Sequence, residues 1–320
     1  MKIFILLFIL FPFVSESQNS TTEPFLKDSL IIIESNPSKG FNNPYILFIP
    51  KGTLKNKRTY LLVEPNNTGK TTDSLEIHKN SAIELASISS VGNNISTNLK
   101  IPLLVPIFPR PDSKPLVYTH ALDRDVIFEK EKELTRIDLQ LIAMIKNAQD
   151  VLKDNGVLIY DKIFMNGFSA SATFTNRFLF IHPEKVKAAA MGGFNGELML
   201  PFAKYKNKVF NYPLGINDFK NTFKKDCNLT VLKKISQYIY MGKDDQNDAV
   251  QFDDAYNNIE RNTINLTLGS KVQERWINCQ NIYKEQDFSV EFKTYENVGH
   301  WTTSSINLEV SKFFLKQLKK

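Results

Sequence analysis

Ser169 stands in "NGFSASATF", with Gly167 two positions before it and the small residues Ala170 and Ser171 after it. An apolar segment beginning at Lys162 leads into this cluster, and a helical pattern leaves it. A strand that turns at once into a helix needs small residues where the backbone crowds, and a serine held on such a turn is a nucleophile elbow. A serine hydroxyl is a poor nucleophile at neutral pH. It needs a base to take its proton and a carboxylate to hold that base in the right tautomer. A plain glycine-containing loop between a strand and a helix is the alternative, and Gly167–Ser171 alone leaves both open.

The chain has four histidines. His78 lies within a predicted helix and His182 ends the helix after the elbow, so both read as structural or surface residues. His300 differs: in "YENVGHWTT" it follows Gly299 on a loop after the last predicted strand. For the carboxylate, "YIYMGKDDQNDAV" offers Asp244, Asp245 and Asp248 directly after a strand, with Gly242 permitting the turn. Asp245 best fits a Gly-x-x-Asp pattern and is the expected acid; Asp248 is the reserve, and Glu197 follows the preceding strand. Serine, acid and histidine thus come in that order.

These residues depend on the elements that carry them. Runs rich in Ile, Leu, Phe and Tyr between Gly, Pro and Asn clusters predict strands at 28–35, 44–50, 58–65, 100–108, 186–193, 237–242 and 289–295, besides the one entering Ser169. Several are unalternating, as strands buried on both faces of a parallel sheet are. Asp73 and Glu76 predict a capping box opening a helix through Leu75, Ile83, Leu85 and Ile88. Leu134, Ile137, Leu141, Met144, Ile145, Ala148 and Leu152 recur at helical spacing, and Asn155-Gly156 ends the run. Alternating strands and helices predict one α/β domain with a mostly parallel central sheet, helices on both faces, and its ligand site at the carboxyl ends of the strands.

The Ser…Asp…His order, each residue on the carboxyl side of a strand, resembles the α/β-hydrolase fold from about Asp28 onward. Within it, "NGFSASATFTNRFLFIHPEKVKAAAMGG" is similar to secreted bacterial polyhydroxybutyrate depolymerases and feruloyl esterases. The resemblance implies a Ser169–His300–Asp245 triad and an oxyanion hole. Ser171 departs from the usual Gly at a position that requires a small residue. A larger departure is "LLVEPNNTG", where those enzymes commonly carry His-Gly. Ala170 N–H is the expected first oxyanion donor, and Asn67, through backbone or side chain, the second. Tyr118 and His120, in the polar loop that also holds Asp123, Arg124 and Asp125, are candidate substrate-binding residues, with a salt-bridged loop as the alternative. Trp301 is read as a substrate wall or as core.

The first residues pair Lys2 with an apolar run from Ile3 to Val14, too short for a membrane span of roughly 20 residues and suited to a cleaved signal. The expected division is a signal peptide at 1–18 and an α/β-hydrolase domain at 19–320, with no membrane span in the mature chain and a secreted or periplasmic location. The net charge of +6 comes from lysines scattered without a nucleic-acid motif, so no nucleic acid is expected as partner. Cys227 and Cys279 are the only cysteines; an oxidising compartment would allow a bridge between them, and whether they pair stays open. The function these features predict is an exported serine hydrolase cleaving a small-molecule or polymeric carboxylic ester through an acyl-enzyme, without cofactor or metal. An amidase or peptidase with the same triad, or an inactive binding protein of the same fold, stays open, as does the oligomeric state.

Overall fold

Unbroken apolar runs become the strands of one central sheet. The computed structural model describes residues 22–319, and the segment read as a signal, 1–18, lies outside them. In chain order the first half comprises β1 (Ser29–Ile33), β2 (Tyr45–Ile49), β3 (Leu62–Val63), α1 (Leu75–Ser87), α2 (Val91–Leu99), β4 (Leu103–Pro106), α3 (Arg124–Phe128), α4 (Ile137–Asp154) and β5 (Ile163–Phe168). The second half comprises α5 (Ala170–Ile181), β6 (Val186–Gly192), a hairpin of β7 (Lys204–Tyr205) and β8 (Lys208–Val209), α6 (Phe219–Phe223), α7 (Leu229–Leu232), β9 (Ser236–Gly242), α8 (Asn258–Thr267), α9 (Val272–Glu285), β10 (Val290–Tyr295) and α10 (Ser304–Leu318).

The large sheet runs β1-β2-β4-β3-β5-β6-β9-β10. Only β2 is antiparallel to its neighbours; the remaining pairs are parallel. β2 and β4 are buried along their whole length and β5 along all but its last residue, which accounts for their lack of alternation. On one face pack α4, α5 and α9 through residues such as Met144, Phe178 and Trp276. On the other pack α1, α2 and α10 through Ala82, Ile95 and Phe314. This is a single domain of the α/β class, and β5 at its centre delivers Ser169 to the carboxyl edge of the sheet.

Several local expectations yield to tertiary contacts. The strand expected at 58–65 is paired on both sides only at Leu62–Val63. Thr59 instead pairs with Ile159, the bend at Asp161–Lys162 interrupts the ladder, and Pro65 has no N–H to continue it. No Asp73–Glu76 capping box forms: α1 starts after Ser74 without a side-chain cap. Asp73 is drawn away by Ser113, whose N–H and hydroxyl donate to it at 3.1 and 2.7 Å. Helix α2, poor in helix formers, was not expected. Ser90 caps it by accepting from Asn93 N at 2.8 Å, and Ile95 anchors it in the core.

Helix α4 begins at Ile137, not Leu134, because Arg136 adopts a left-handed conformation with φ 43°. That turn aims its guanidinium at buried Asp138, to which Nε and Nη2 both donate at 2.8 Å. His182, at the end of α5, adds a third contact at 2.9 Å. Burial alone would raise the Asp138 carboxyl, but the Arg136 and His182 hydrogen bonds outweigh it and hold it down at about 2. A depressed carboxylate stabilises the fold above its unfolded value, and that contribution is lost as pH falls through the folded value. Thermal denaturation of the wild type should therefore lose on the order of 2 kcal/mol between about pH 4 and pH 2 that Asp138→Asn, already destabilised at pH 7, does not lose.

No Cys227–Cys279 bridge forms, since both residues are free thiols. Cys227 donates to Phe180 O at 3.7 Å, while Cys279 is buried on α9 beside the Leu198 backbone. The two side chains are packed against different partners. Burial pushes each thiol up to about 12, so neither is a ready nucleophile at neutral pH. Titration of unfolded, unreduced protein should find two thiols, and native protein should react slowly; a value near zero after unfolding would restore the bridge.

Candidate active site

Ser169 sits between the end of β5 and the start of α5 with φ 61° and ψ −128°, a conformation that L-residues avoid and that is retained where the surroundings enforce it. Its N–H donates to Gly192 O at 2.9 Å. A Cβ at Gly167 would lie 2.2 Å from Ser171 O, so the turn requires glycine there. Ser171, the departure from the usual Gly, ties the same turn together: its hydroxyl accepts from Phe168 N at 2.9 Å and donates to Phe168 O at 2.8 Å.

His300 comes to this turn on the loop after β10. Its Nε2 lies 2.9 Å from Ser169 Oγ, and its Nδ1 lies 2.9 Å from Asp245 Oδ2. With Asp245 accepting from Nδ1–H, Nε2 is left free to accept the serine proton. Asp245 is 1% exposed, and its other oxygen accepts from Asn247 N at 2.9 Å. Gln273 of α9 clamps the acid loop, donating to Gly242 O at 3.0 Å and Asp245 O at 2.8 Å. The Phe168 ring flanks the imidazole, centroids 5.1 Å apart.

The reserve acid is committed elsewhere. Asp248 accepts from Val250 N at 3.1 Å and pairs with the buried guanidinium of Arg275, so it does not serve His300. Glu197 is fully buried, its carboxyl oxygens without hydrogen-bond partners among the described residues. Burial pushes it well above the usual carboxylate range, and it is no orienting anion.

The Asn67 side chain is partly committed: Nδ2 donates to Phe168 O at 3.4 Å and Oδ1 accepts from Gly69 N at 3.2 Å. The backbone N–H groups of Asn67 and Ala170 have no hydrogen-bond partner among the described residues. Asn66 braces the loop from behind, donating to Phe108 O at 2.9 Å and accepting from Phe108 N at 3.1 Å. With one Nδ2 hydrogen directed at Phe168 O, an oxyanion role of Asn67 is expected to fall to its backbone, and Asn67→Ala should then lower kcat by no more than about tenfold, well short of the hundredfold or more expected for a lost side-chain donor. A steady-state comparison on one ester decides between these magnitudes.

His120 does not line the cavity holding Ser169, and of the two readings of its loop it follows the structural one. It is fully buried, Nε2 lying 3.0 Å from Phe108 O and 3.2 Å from Asn66 Nδ2, and its ring meets His78 edge-on at 5.6 Å. Burial lowers its imidazole to about 3, so it stays neutral. Arg124 forms ion pairs with Asp218 and Glu260 and Asp123 caps α3 through Val126 N, which leaves Tyr118 as the candidate from this loop that lines the site. Trp301 is neither core nor wall. It is 56% exposed, leans on Gly299 and does not line the cavity holding Ser169.

That cavity, about 390 Å³, is lined by Ser169, His300 and Asn67 together with Arg110, Tyr118 and Asp254. Arg110 stacks over the Tyr118 ring at 3.8 Å and pairs with Asp254. Asn195 and Asn247 add amides to its walls. Sequence reasoning missed Arg110, Asn195, Asn247 and Asp254. Arg110 and Asn195 follow β4 and β6 within a few residues, and position at the carboxyl end of a central strand was the signal that could have found them. Among the described residues no helix is long and apolar enough to cross a membrane.

No family model matches the sequence, and no curated protein matches it. Solved structures do resemble it in three dimensions. Poly(aspartic acid) hydrolase-1 from Sphingomonas sp. KT-1 aligns with a TM-score of 0.56 at 14% identity, over 92% of this chain and 100% of that one. LpqC, the poly(3-hydroxybutyrate) depolymerase from Bordetella parapertussis, aligns with a TM-score of 0.55 at 11% identity, over 91% and 90%. An S-formylglutathione hydrolase from Agrobacterium tumefaciens gives 0.52 at 8% identity, over 94% and 98%. At such identities the likeness is one of fold, and that fold is the α/β-hydrolase fold.

Proposed function

We propose that the protein is an exported serine hydrolase that cleaves carboxylic esters through an acyl-enzyme. The observation that carries this reading is the relay from Ser169 Oγ to His300 Nε2 and from His300 Nδ1 to Asp245, both links 2.9 Å, opening on one cavity. His300 takes the Ser169 proton as Oγ attacks the carbonyl carbon, and Asp245 stabilises the imidazolium. The oxyanion is met by the N–H groups of Ala170 and Asn67, donors of a kind worth on the order of 3 kcal/mol each. Collapse breaks the ester bond, and His300 gives its proton to the departing alcohol. Water, deprotonated by His300, then attacks the acyl-enzyme; the acid departs and Ser169 recovers its proton. Three fold neighbours whose names describe hydrolases or a depolymerase support acyl transfer to water, and the apolar leader at 1–18 supports export.

The test is labelling by a fluorophosphonate probe together with hydrolysis of p-nitrophenyl esters and a matched p-nitroanilide. Labelling at Ser169 and turnover of esters well above the anilide are expected; an unlabelled protein with no turnover would sink the proposal. The cavity is small and its lining includes the Arg110–Asp254 pair, whose charges an alkyl chain cannot solvate. Acetyl and butyryl esters should therefore surpass octanoyl esters in kcat/KM by about tenfold or more, a few methylenes' worth of misplaced burial. A rising series with chain length would show that the acyl group lies elsewhere.

A further inference from the structure

A second cavity of about 330 Å³ opens between α1, α2 and the back of the elbow. Asn67 lines both this cavity and the one holding Ser169, so the two adjoin across a single residue. The second contains the carboxylates of Glu64 and Glu84 and the hydroxyls of Ser81, Ser89 and Ser90, and neither Lys nor Arg lines it. Its charged groups are all acceptors.

Glu64 distinguishes this cavity from a solvated acidic surface. It is 3% exposed yet lies in the cavity wall. Its Oε2 accepts from Asn166 Nδ2 at 3.0 Å, while Oε1 has no hydrogen-bond partner among the described residues. The first turn of α2 presses directly on the carboxyl: a Cβ at Gly92 would come within 1.8 Å of Oε2. A carboxylate held this tightly, with one oxygen taking no donor from the protein, can still accept a hydrogen bond from a group in the cavity.

We infer that this cavity is a subsite for a primary ammonium group on the substrate, with Glu64 as its counter-ion and the neighbouring hydroxyls as further acceptors. The subsite meaning rests on the serine hydrolase reading; the ammonium site itself does not. A primary ammonium brings three donors and no acceptor, matching the acceptors present. A quaternary ammonium favours an aromatic cage, and Phe168 is the one aromatic residue in the lining. A divalent metal is disfavoured by ligand supply, since no group of three or more His, Cys, Asp or Glu suited to a metal occurs among the described residues.

The site also carries a proton signature. Burial raises the Glu64 carboxyl to about 7, against the opposing influence of the Asn166 hydrogen bond and the nearby Gly92 N–H. Besides those two, the Tyr240 phenol of β9 and Glu84 of α1 face the region, and Tyr240 is itself held neutral by burial. A bound cation favours ionised Glu64, so binding should release a proton near neutral pH and strengthen as pH rises through about 7.

Calorimetry with n-butylammonium tests the site, with 1-butanol as the uncharged control. Saturable binding with proton release is expected for the wild type, at least tenfold weaker in Glu64→Gln and severalfold weaker in Glu84→Gln, a change on exposed helix surface that should not threaten folding. Equal binding by 1-butanol, or undiminished binding in Glu64→Gln, would overturn the site. The subsite is read from kcat/KM for 4-(aminomethyl)phenyl acetate over 4-methylphenyl acetate, each corrected for its hydroxide-catalysed rate. A ratio of ten or more, collapsing toward one in Glu64→Gln, is expected; a ratio near one in the wild type would detach the site from catalysis. Glu64-dependent ammonium binding with no turnover of either ester and no fluorophosphonate labelling would remove the hydrolase reading and leave the ammonium site standing.

Discussion

Ser169→Ala should lower kcat on a p-nitrophenyl ester by about a millionfold, the scale on which loss of the nucleophile acts in a serine hydrolase, and should abolish fluorophosphonate labelling. The reason is chemical: alanine has no atom to form the acyl-enzyme, and the hydroxyl is the group His300 Nε2 meets at 2.9 Å. The fold should survive, because the Ser169 contacts that hold the turn are made by its backbone, through Gly192 O and the first turn of α5. Unchanged melting with lost activity would separate chemistry from folding. Labelled and active Ser169→Ala protein would mean that another residue is the nucleophile.

Asp245→Asn should lower kcat by about ten-thousandfold with little change in KM, as expected when the base is left in the wrong tautomer. An amide can place its NH₂ toward Nδ1, which then has to accept, and Nε2 becomes protonated and useless to Ser169. Asp248→Asn makes the contrasting prediction. Its carboxylate pairs with Arg275, a side chain with no exposed surface, so removing the charge leaves a buried cation unpaired and should cost about 3 kcal/mol of stability. Activity measured below the lowered melting temperature should be largely kept. A collapse of kcat in Asp248→Asn beside an active Asp245→Asn would reassign the acid. Equal stability of Asp248→Asn and wild type would show instead that the Arg275 pair contributes nothing to the fold.

Much of this site was legible because its signals are local. Gly167, Ser169, Ala170 and Ser171 mark the elbow through small size alone, and the buried β5 and the amphipathic α4 are written in unbroken and helical spacing. Ser169, Asp245 and His300 each follow a strand, so their common edge comes from the βα alternation. Elements governed by distant partners were not legible in the same way. Asp73 abandons its helix for Ser113, 40 positions away, and the weak helix α2 exists because the sheet gives Ile95 a core to enter.

The sequence by itself determined the sheet's buried strands, the strained serine turn and the order of the three polar residues, since each depends on side-chain size and periodicity along a short stretch. Packing decided the rest. It separated Asp245 from Asp248 by giving the second a buried guanidinium to neutralise, turned the Asn67 side chain onto the Phe168 carbonyl, and sealed His120 in the interior. It kept Cys227 and Cys279 among different neighbours. It also brought Arg110 and Asp254, partners 144 positions apart, into the cavity lining. Hydrogen bonds and ion pairs of this kind take their energy from geometry and desolvation, and neither quantity exists until the chain has brought those residues together.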